Sequence, residues 1–161
     1  MILGDFVEIE RKFLVLRLPD LSLARRADIA QGYLTQNSDS VELRLRAADD
    51  RRILTLKSGS GMTRKEREIA LSPEQFDILW PETEGRRLEK ERWTGPLPGG
   101  LRYELDIFRG FLAPLRVVEV EFDSLASAEA FCPPDWFGRE VTEDPRYGNR
   151  AMVTDGVPEE G

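Results

Sequence analysis

The sequence predicts a mainly β, α+β protein built as an eight-stranded antiparallel barrel with a few helices packed outside. Three observations carry this. Apolar and polar residues alternate with a period of two, not 3.6, along most of the chain. The alternating segments number roughly eight, about the count that closes a small barrel. Between them lie turn residues: Asp49–Asp50, the Ser-Gly-Ser-Gly run Ser58–Gly61, and the Gly/Pro-rich Gly95–Gly100.

The segments follow in order. Phe6–Val15 places Glu8, Glu10 and Lys12 on one face and Val7, Ile9 and Phe13 on the other. A shorter strand is expected at Gln31–Gln36. Val41–Arg46 aligns Glu42, Arg44 and Arg46, and Arg52–Lys57 aligns Thr55 and Lys57. Thr63–Leu71 aligns Arg64, Glu66 and Glu68; Arg87–Trp93 aligns Lys90 and Arg92. Arg102–Phe108 sets Arg102, Glu104 and Asp106 against Tyr103, Leu105 and Ile107, and Arg116–Asp123 sets Glu119 and Glu121 against Val118, Val120 and Phe122. Ser72–Trp80 reads as a helix, with Ser72 as N-cap, Pro73 in the first turn and Pro81 as its end. Leu125–Phe131 and Leu21–Ala27 read as two more. Trp80, Trp93 and Trp136 fall on apolar faces or beside prolines and read as packing residues.

The chain has 161 residues, the length of a single domain, with 40% hydrophobic residues to build a core. A domain over 1–155 with a disordered tail at 156–161 is expected. Thirty acidic residues against 23 basic ones give a net charge of −7, which argues against a nucleic-acid duplex or an anionic membrane as partner. There is no histidine, which excludes His-based acid–base catalysis, Ser-His-Asp and Cys-His nucleophiles, and His-ligated metals. The one cysteine, Cys132, excludes an internal disulfide or a cysteine metal cluster. No run approaches the ~20 apolar residues of a membrane helix, and the charged start does not resemble a signal peptide. A cytoplasmic location is expected.

An alternating strand normally turns its charged face to water. Here the charged faces repeat as E-x-E, R-x-R, K-x-R and E-x-D on nearly every strand. A solvated sheet needs no such order. The other reading is an inverted barrel: charges line a central tunnel and apolar faces pack against the helices. Buried charge on that scale requires pairing or a bound ion or ligand. Carboxylates without His or Cys form hard oxygen sites suited to Mg²⁺ or Mn²⁺. Two of them at i and i+2 on a strand point the same way about 7 Å apart. Arginine and lysine match phosphate oxygens, arginine as a bidentate fork. Metal with a basic clamp is the arrangement of phosphoryl transfer.

Glu8-Ile-Glu10-Arg-Lys12 resembles the E-x-E-x-K signature of the CYTH superfamily, the triphosphate tunnel metalloenzymes. Gln31-Gly32-Tyr33-Leu34, Arg44-x-Arg46, Thr55-x-Lys57, Glu66-x-Glu68, Lys90-x-Arg92, Glu104-x-Asp106 and Glu119-x-Glu121 follow in the family's order. Glu140-Val141-Thr142 and Tyr147-x-Asn149 resemble the ending of the short bacterial members. The resemblance spans about residues 5–152. It implies an eight-stranded tunnel that binds a triphosphate with a divalent metal, Mg²⁺ or Mn²⁺. Carried across by position, it implies that Glu8, Glu10, Glu119 and Glu121 bind metal, and that Lys12, Arg44, Arg46, Lys57, Lys90 and Arg92 hold the phosphate chain. Glu66, Glu68, Glu104 and Asp106 either bind metal, position water or neutralise neighbouring bases. Tyr33 has the parity to reach the lumen, although such a tyrosine is more often packing. Glu42, Arg64 and Arg102 share the inward parity and read equally as rim charges. The Gly-rich Ser58–Met62 lacks the phosphate-loop pattern and reads as a hairpin turn.

The function expected is a metal-dependent hydrolase of a triphosphate, inorganic tripolyphosphate first, with Lys12, Tyr33, Glu66, Glu68, Glu104 and Asp106 as candidate catalytic groups. A class IV-type adenylate cyclase, a thiamine triphosphatase and a non-catalytic polyphosphate- or nucleotide-binding module are the alternatives, and an ordinary barrel with structural charges is the bland one. The expected partner is a small-molecule triphosphate, with a homodimer left open.

Overall fold

The computed structural model describes residues 2–59 and 61–160, with side chains from Val7 onward. Ser60 of the expected Ser58–Gly61 turn and Gly161 of the expected tail lie outside the described residues, as does Met1. Among the described residues there are nine strands: β1 (Ile2–Val15), β2 (Arg25–Tyr33), β3 (Val41–Ala48), β4 (Arg51–Ser58), β5 (Thr63–Ala70), β6 (Arg87–Pro96), β7 (Arg102–Phe108), β8 (Arg116–Glu121) and β9 (Phe137–Glu140). Three helices among the same residues, α1 (Pro73–Leu79), α2 (Leu125–Ala130) and α3 (Asn149–Asp155), pack outside. The order β1-β5-β4-β3-β2-β6-β7-β8 returns to β1, with every neighbour antiparallel, so eight strands close a ring. Strand β1 completes it: residues 2–9 pair with β5, residues 10–14 with β8, and Phe13 and Val15 also meet β9.

The ring is inverted, as the repeated charged faces predict. Phe13, Leu105, Val118 and Val120 are buried on the outer face, opposite the parity of Lys12, Asp106 and Glu119. They pack with Phe122, Trp136, Phe137 and Ala128 of α2 in one core. Burying each such aliphatic or aromatic side chain stabilises by roughly 1.5–3 kcal/mol, which offsets the cost of an interior lined with charge. A second core contains Tyr33, Leu88, Phe108 and Val117, which share the lumen-facing parity of their strands. They meet Tyr147 and Met152 and Val153 of α3, and so form an apolar plug at one end of the barrel.

Local chemistry sets several boundaries. Ser72 caps α1 in a capping box with Gln75, with Pro73 in the first turn. The α-helix ends at Leu79 with Trp80 as its C-cap, just before Pro81, and Trp80–Thr83 follows as a 3₁₀ turn. Asp49 takes a positive φ of 53° in the β3–β4 turn, a conformation aspartate tolerates. Trp80 stacks on Phe76 at 5.0 Å, Trp136 is in the first core and Trp93 packs against it. Cys132 is exposed.

Two expectations are corrected. Leu21–Ala27 is not a helix: a turn closes from Ala24 N–H to Leu21 C=O, and β2 begins at Arg25. Of the short strand expected at Gln31–Gln36, only Gln31–Tyr33 is strand, as the end of this longer one; residues 34–36 lie beyond it. Its alternation is reversed, with Arg26 and Asp28 ion-paired outside at 3.0 Å and Ala27 and Ile29 lining the lumen, so no charged inner face marks it. Strand β9 and helix α3 were not anticipated; β9 is four residues long and α3 has no side-chain N-cap. The segment expected as a tail is described to Glu160, whose carboxylate accepts from Arg139 Nη2 at 2.7 Å and from the Tyr147 hydroxyl.

Candidate active site

The lumen above the plug is a cavity of about 370 Å³. Strands β1, β3, β5, β7 and β8 bring eight glutamates to it, and β1, β3, β4, β5 and β6 bring eight lysines and arginines. All the predicted site residues line it except Asp106, which is 2% exposed and lies behind Lys90 and Arg92. Glu42 and Arg64 also line the cavity and pair at 3.4 Å. Arg102 is exposed at the start of β7 and does not.

Glu8, Glu10 and Glu121 each bring a carboxylate oxygen within 4.8 Å of the others. The register explains this: Glu10 lies opposite Glu121, and Glu8 lies two residues earlier on the same face of β1. Burial, then the neighbouring Glu119 carboxylate, pushes Glu10 well above the carboxylate range. Burial, then Glu104 and Glu8, pushes Glu121 up to about 7. Burial also raises Glu8, although Lys57 opposes it at 3.1 Å. Three crowded oxygen donors whose charge is held back by burial and by neighbouring carboxylates fit a hard divalent cation. Glu119, the fourth candidate ligand, touches Glu10 but differs from the trio in its charge. Burial raises it, but Lys12 at 3.6 Å and a hydrogen bond from Glu10 outweigh that and hold it well below the usual range.

The basic side is organised by pairing. Arg92 donates from Nε to Asp106 Oδ1 at 2.8 Å, from Nη2 to Oδ2 at 2.9 Å, and from Nη1 to Glu104 Oε2 at 3.0 Å. Lys90 Nζ reaches Asp106 Oδ2 at 2.6 Å. Burial pushes Asp106 up, yet Arg92 and Lys90 outweigh it and hold the carboxyl at about 2. Lys90 is the weaker partner: burial, with Arg92 and Arg46 nearby, pulls it down to about 7 against the pull of Asp106. Arg44 donates to Thr55 Oγ1 at 3.3 Å, and Thr55 donates to Glu68 at 3.0 Å. Arg44 Nε, Arg64 Nε and Glu66 Oε2 are buried without a hydrogen-bond partner. In a folded protein such groups are rare, and three of them around one cavity point to a ligand. Tyr33 is buried, its hydroxyl accepting from Gln31 Nε2 at 2.8 Å, and burial raises its pKa.

Thr55, Gln31 and Asn149 connect these charges. All three belong to motifs that carry the family resemblance, which implies no role for them. The available signal was their parity: Thr55 shares the face of Lys57, and Gln31 that of Tyr33. Gly32 between them has a packing reason, since a Cβ there would lie 2.6 Å from Thr83. Arg51, unassigned from sequence, adds a cation to the cavity wall.

No family model matches the chain. Individual relatives do. An inorganic triphosphatase of Nitrosomonas europaea is 55% identical over 146 residues, covering 91% of this chain and 96% of that protein. One of Acetivibrio thermocellus is 36% identical over 148 residues, covering 91% and 92%. A crystal structure of an inorganic triphosphatase, 52% identical, superposes with a TM-score of 0.71 over 92% of this chain and 95% of the other. With that identity over nearly its whole length and a charged lumen inside a closed eight-stranded ring, the chain belongs to the CYTH superfamily of triphosphate tunnel metalloenzymes, among its short bacterial triphosphatases.

Proposed function

We infer that the protein hydrolyses the phosphoanhydride bond of a triphosphate in its lumen, that inorganic tripolyphosphate is the substrate, and that the reaction depends on Mg²⁺ or Mn²⁺. The observation that carries this is the segregated charge of the lumen, a carboxylate trio beside a cluster of arginines and lysines, in a chain 55% identical to an inorganic triphosphatase. At about 370 Å³ the cavity is at the small end of the ~300–1,000 Å³ usual for ligand pockets, which favours an inorganic anion over a nucleotide.

Glu8, Glu10 and Glu121 would hold the cation, which when bound supplies charge neutralisation and Lewis acidity at that wall. Arg44, Arg46, Lys57, Lys90, Arg92 and Lys12 bind phosphoryl oxygens. They fix the anion's orientation and oppose the charge that grows on the leaving oxygen. Asp106 and Glu104 serve as counter-ions to Arg92, because each is taken up in hydrogen bonds to it. Glu68 is engaged by Thr55. Glu66 keeps one buried oxygen without a hydrogen-bond partner, with Lys57 Nζ 4.0 Å away, and we assign it the placing of the attacking water. Tyr33 holds Gln31 and takes no proton.

The test is a panel of tripolyphosphate, pyrophosphate, thiamine triphosphate and ATP, each with Mg²⁺, Mn²⁺ or a chelator. Released phosphate and cyclic AMP are both read. Metal-dependent phosphate release from tripolyphosphate at the highest kcat/KM is expected. Cyclic AMP from ATP, or turnover that survives chelation, would overturn the reading. Among the described residues no helix is long and apolar enough to cross a membrane.

A further inference from the structure

Two neutral side chains stand among the lumen charges. Gln31 is 0% exposed, and its hydrogen-bonding capacity is fully used. Its Nε2 donates to the Tyr33 hydroxyl at 2.8 Å and to Asn149 Oδ1 at 3.0 Å. Its Oε1 accepts from Arg46 Nε at 3.1 Å and Nη2 at 2.9 Å. Asn149 Oδ1 also accepts from Lys90 Nζ at 2.9 Å. The connection thus runs Lys90–Asn149–Gln31–Arg46, from β6 to β3 through α3 and β2, next to the apolar plug.

The two cations dictate how the amides are turned. Lysine and arginine only donate, so Asn149 must present its oxygen to Lys90 and Gln31 its oxygen to Arg46. That leaves the Gln31 amino group facing Asn149, where it is needed. Two residues back, the Tyr147 carbonyl accepts from Lys12 Nζ at 3.4 Å. The segment leading into α3 therefore meets two of the lumen lysines with uncharged acceptors. Arg92 is treated differently, with carboxylates on both sides at 2.8–3.0 Å.

We propose that Gln31 and Asn149 are positioning residues for the substrate: a neutral bridge that fixes the spacing of Lys90 and Arg46 while leaving their positive charge to the phosphate chain. Carboxylates would hold the two cations at least as firmly, but would neutralise them before substrate arrives. Lys90 already shares Asp106 with Arg92, and its other neighbours are Arg46, Asn149 and the face of Phe108 at 5.3 Å. A second anion in place of the amide would cancel what charge remains. The proposal rests on the triphosphatase reading for its ligand.

Asn149→Asp keeps the acceptor and the shape but adds charge. Gln31→Glu keeps the acceptor toward Arg46 and adds charge there, but also removes the amino group that donates to Asn149, and Asn149→Ala removes the bridge. Each is measured for tripolyphosphate affinity by calorimetry with Ca²⁺, for KM and kcat with Mg²⁺, and for melting temperature. Asn149→Asp is expected to melt no lower than wild type, yet to weaken tripolyphosphate binding and raise KM about tenfold, the scale of one charge-assisted hydrogen bond, with kcat within about twofold. Asn149→Ala should lower the melting temperature and raise KM less. Wild-type affinity in both acidic variants would overturn the bridge. So would an Asn149→Asp variant that matches Asn149→Ala in both melting temperature and KM, since the amide would then be a structural prop. If wild type binds tripolyphosphate without hydrolysing it and Asn149→Asp weakens that binding, the bridge stands and the hydrolase reading falls.

Discussion

Towards the unplugged end of the lumen, Glu8, Glu10 and Glu121 crowd carboxylate oxygens within 4.8 Å of one another. Nearer the plug, Asp106 sits between Lys90 at 2.6 Å and Arg92 at 2.8 Å. Both groups are acidic, both are on neighbouring strands, and sequence alone gives them the same E-x-E or E-x-D appearance. Their electrostatics are opposite. The trio is pushed up by burial and like charge, Glu121 to about 7, whereas Asp106 is held at about 2. A carboxylate with its charge already answered has little to offer a metal, and one held back by its neighbours gains most from it. The contrast supports the proposed separation of metal ligands from counter-ions, which the motif cannot make.

The sharpest way to break the comparison is to remove the trio's charge. Glu8→Gln with Glu10→Gln should cut phosphate release from tripolyphosphate by about 100-fold or more, since losing even an outer partner of a metal ligand costs ~10–100-fold. Circular dichroism checks the fold, and activity near wild type would remove these residues from the metal site. Next come the cations. Arg44→Ala or Arg46→Ala should each raise KM roughly 10–150-fold, from the ~1.5–3 kcal/mol of hydrogen bonds to charged groups. Arg→Lys should recover only part of it, because the fork is lost.

The paired side has a pH signature. The folded Asp106 carboxyl, near 2, lies below its ordinary 3.8, so the unfolded chain binds more protons between those values. Stability from this group is therefore present above about pH 4 and lost as pH falls through 2, by about 2–3 kcal/mol at ~1.4 per unit. Lys90 near 7 lies below its ordinary 10.5. The unfolded chain again binds more protons, and stability from Lys90 rises from pH 7 to 10.5. Denaturant midpoints against pH for Asp106→Asn and Lys90→Met should lose these two slopes respectively; a wild-type acid slope in Asp106→Asn would mean that the pair is not ionised. The smallest effect sharpens the contrast. Ca²⁺ at about tenfold over its Kd should raise the melting temperature by ~3–6 °C, from RT ln 11, about 1.4 kcal/mol. Glu121→Gln should shrink that shift and Asp106→Asn leave it intact.

Much of this architecture was legible because an inverted barrel writes its interior in charges. Glu8, Arg44, Glu66, Lys90 and Glu119 share a period-two register that a solvated sheet has no reason to keep, and the lumen gathers them all. Strand β2 was obscured at its start because Ala27 and Ile29 face inward while Arg26 and Asp28 face water, the ordinary polarity of a sheet. The division of labour among Asp106, Glu119 and the trio was not legible either. It depends on which strand lies beside which, and Glu10 meets Glu121 only through the closure of β1 on β8. Gln31 and Asn149 are 118 positions apart in sequence, and only the packing of α3 onto the barrel end joins them.

That closure also bears on how the molecule is made. Strand β1 pairs with β5 through one half, with β8 through the other, and with β9 at Phe13 and Val15. The hairpin β3–β4–β5 can form from neighbouring sequence, but β1 must wait for Glu119 and Glu140 to exist before its second half finds a partner. Until then the ring stands open, with unpaired backbone along one strand and its charges facing water rather than one another. Such long-range pairing slows folding, because loop closure comes before the contacts that reward it. On a ribosome adding ~5–20 residues each second, the interval between the emergence of β1 and that of β8 lasts several seconds. During synthesis the first strand is the exposed edge that a chaperone, or a second nascent chain, would meet.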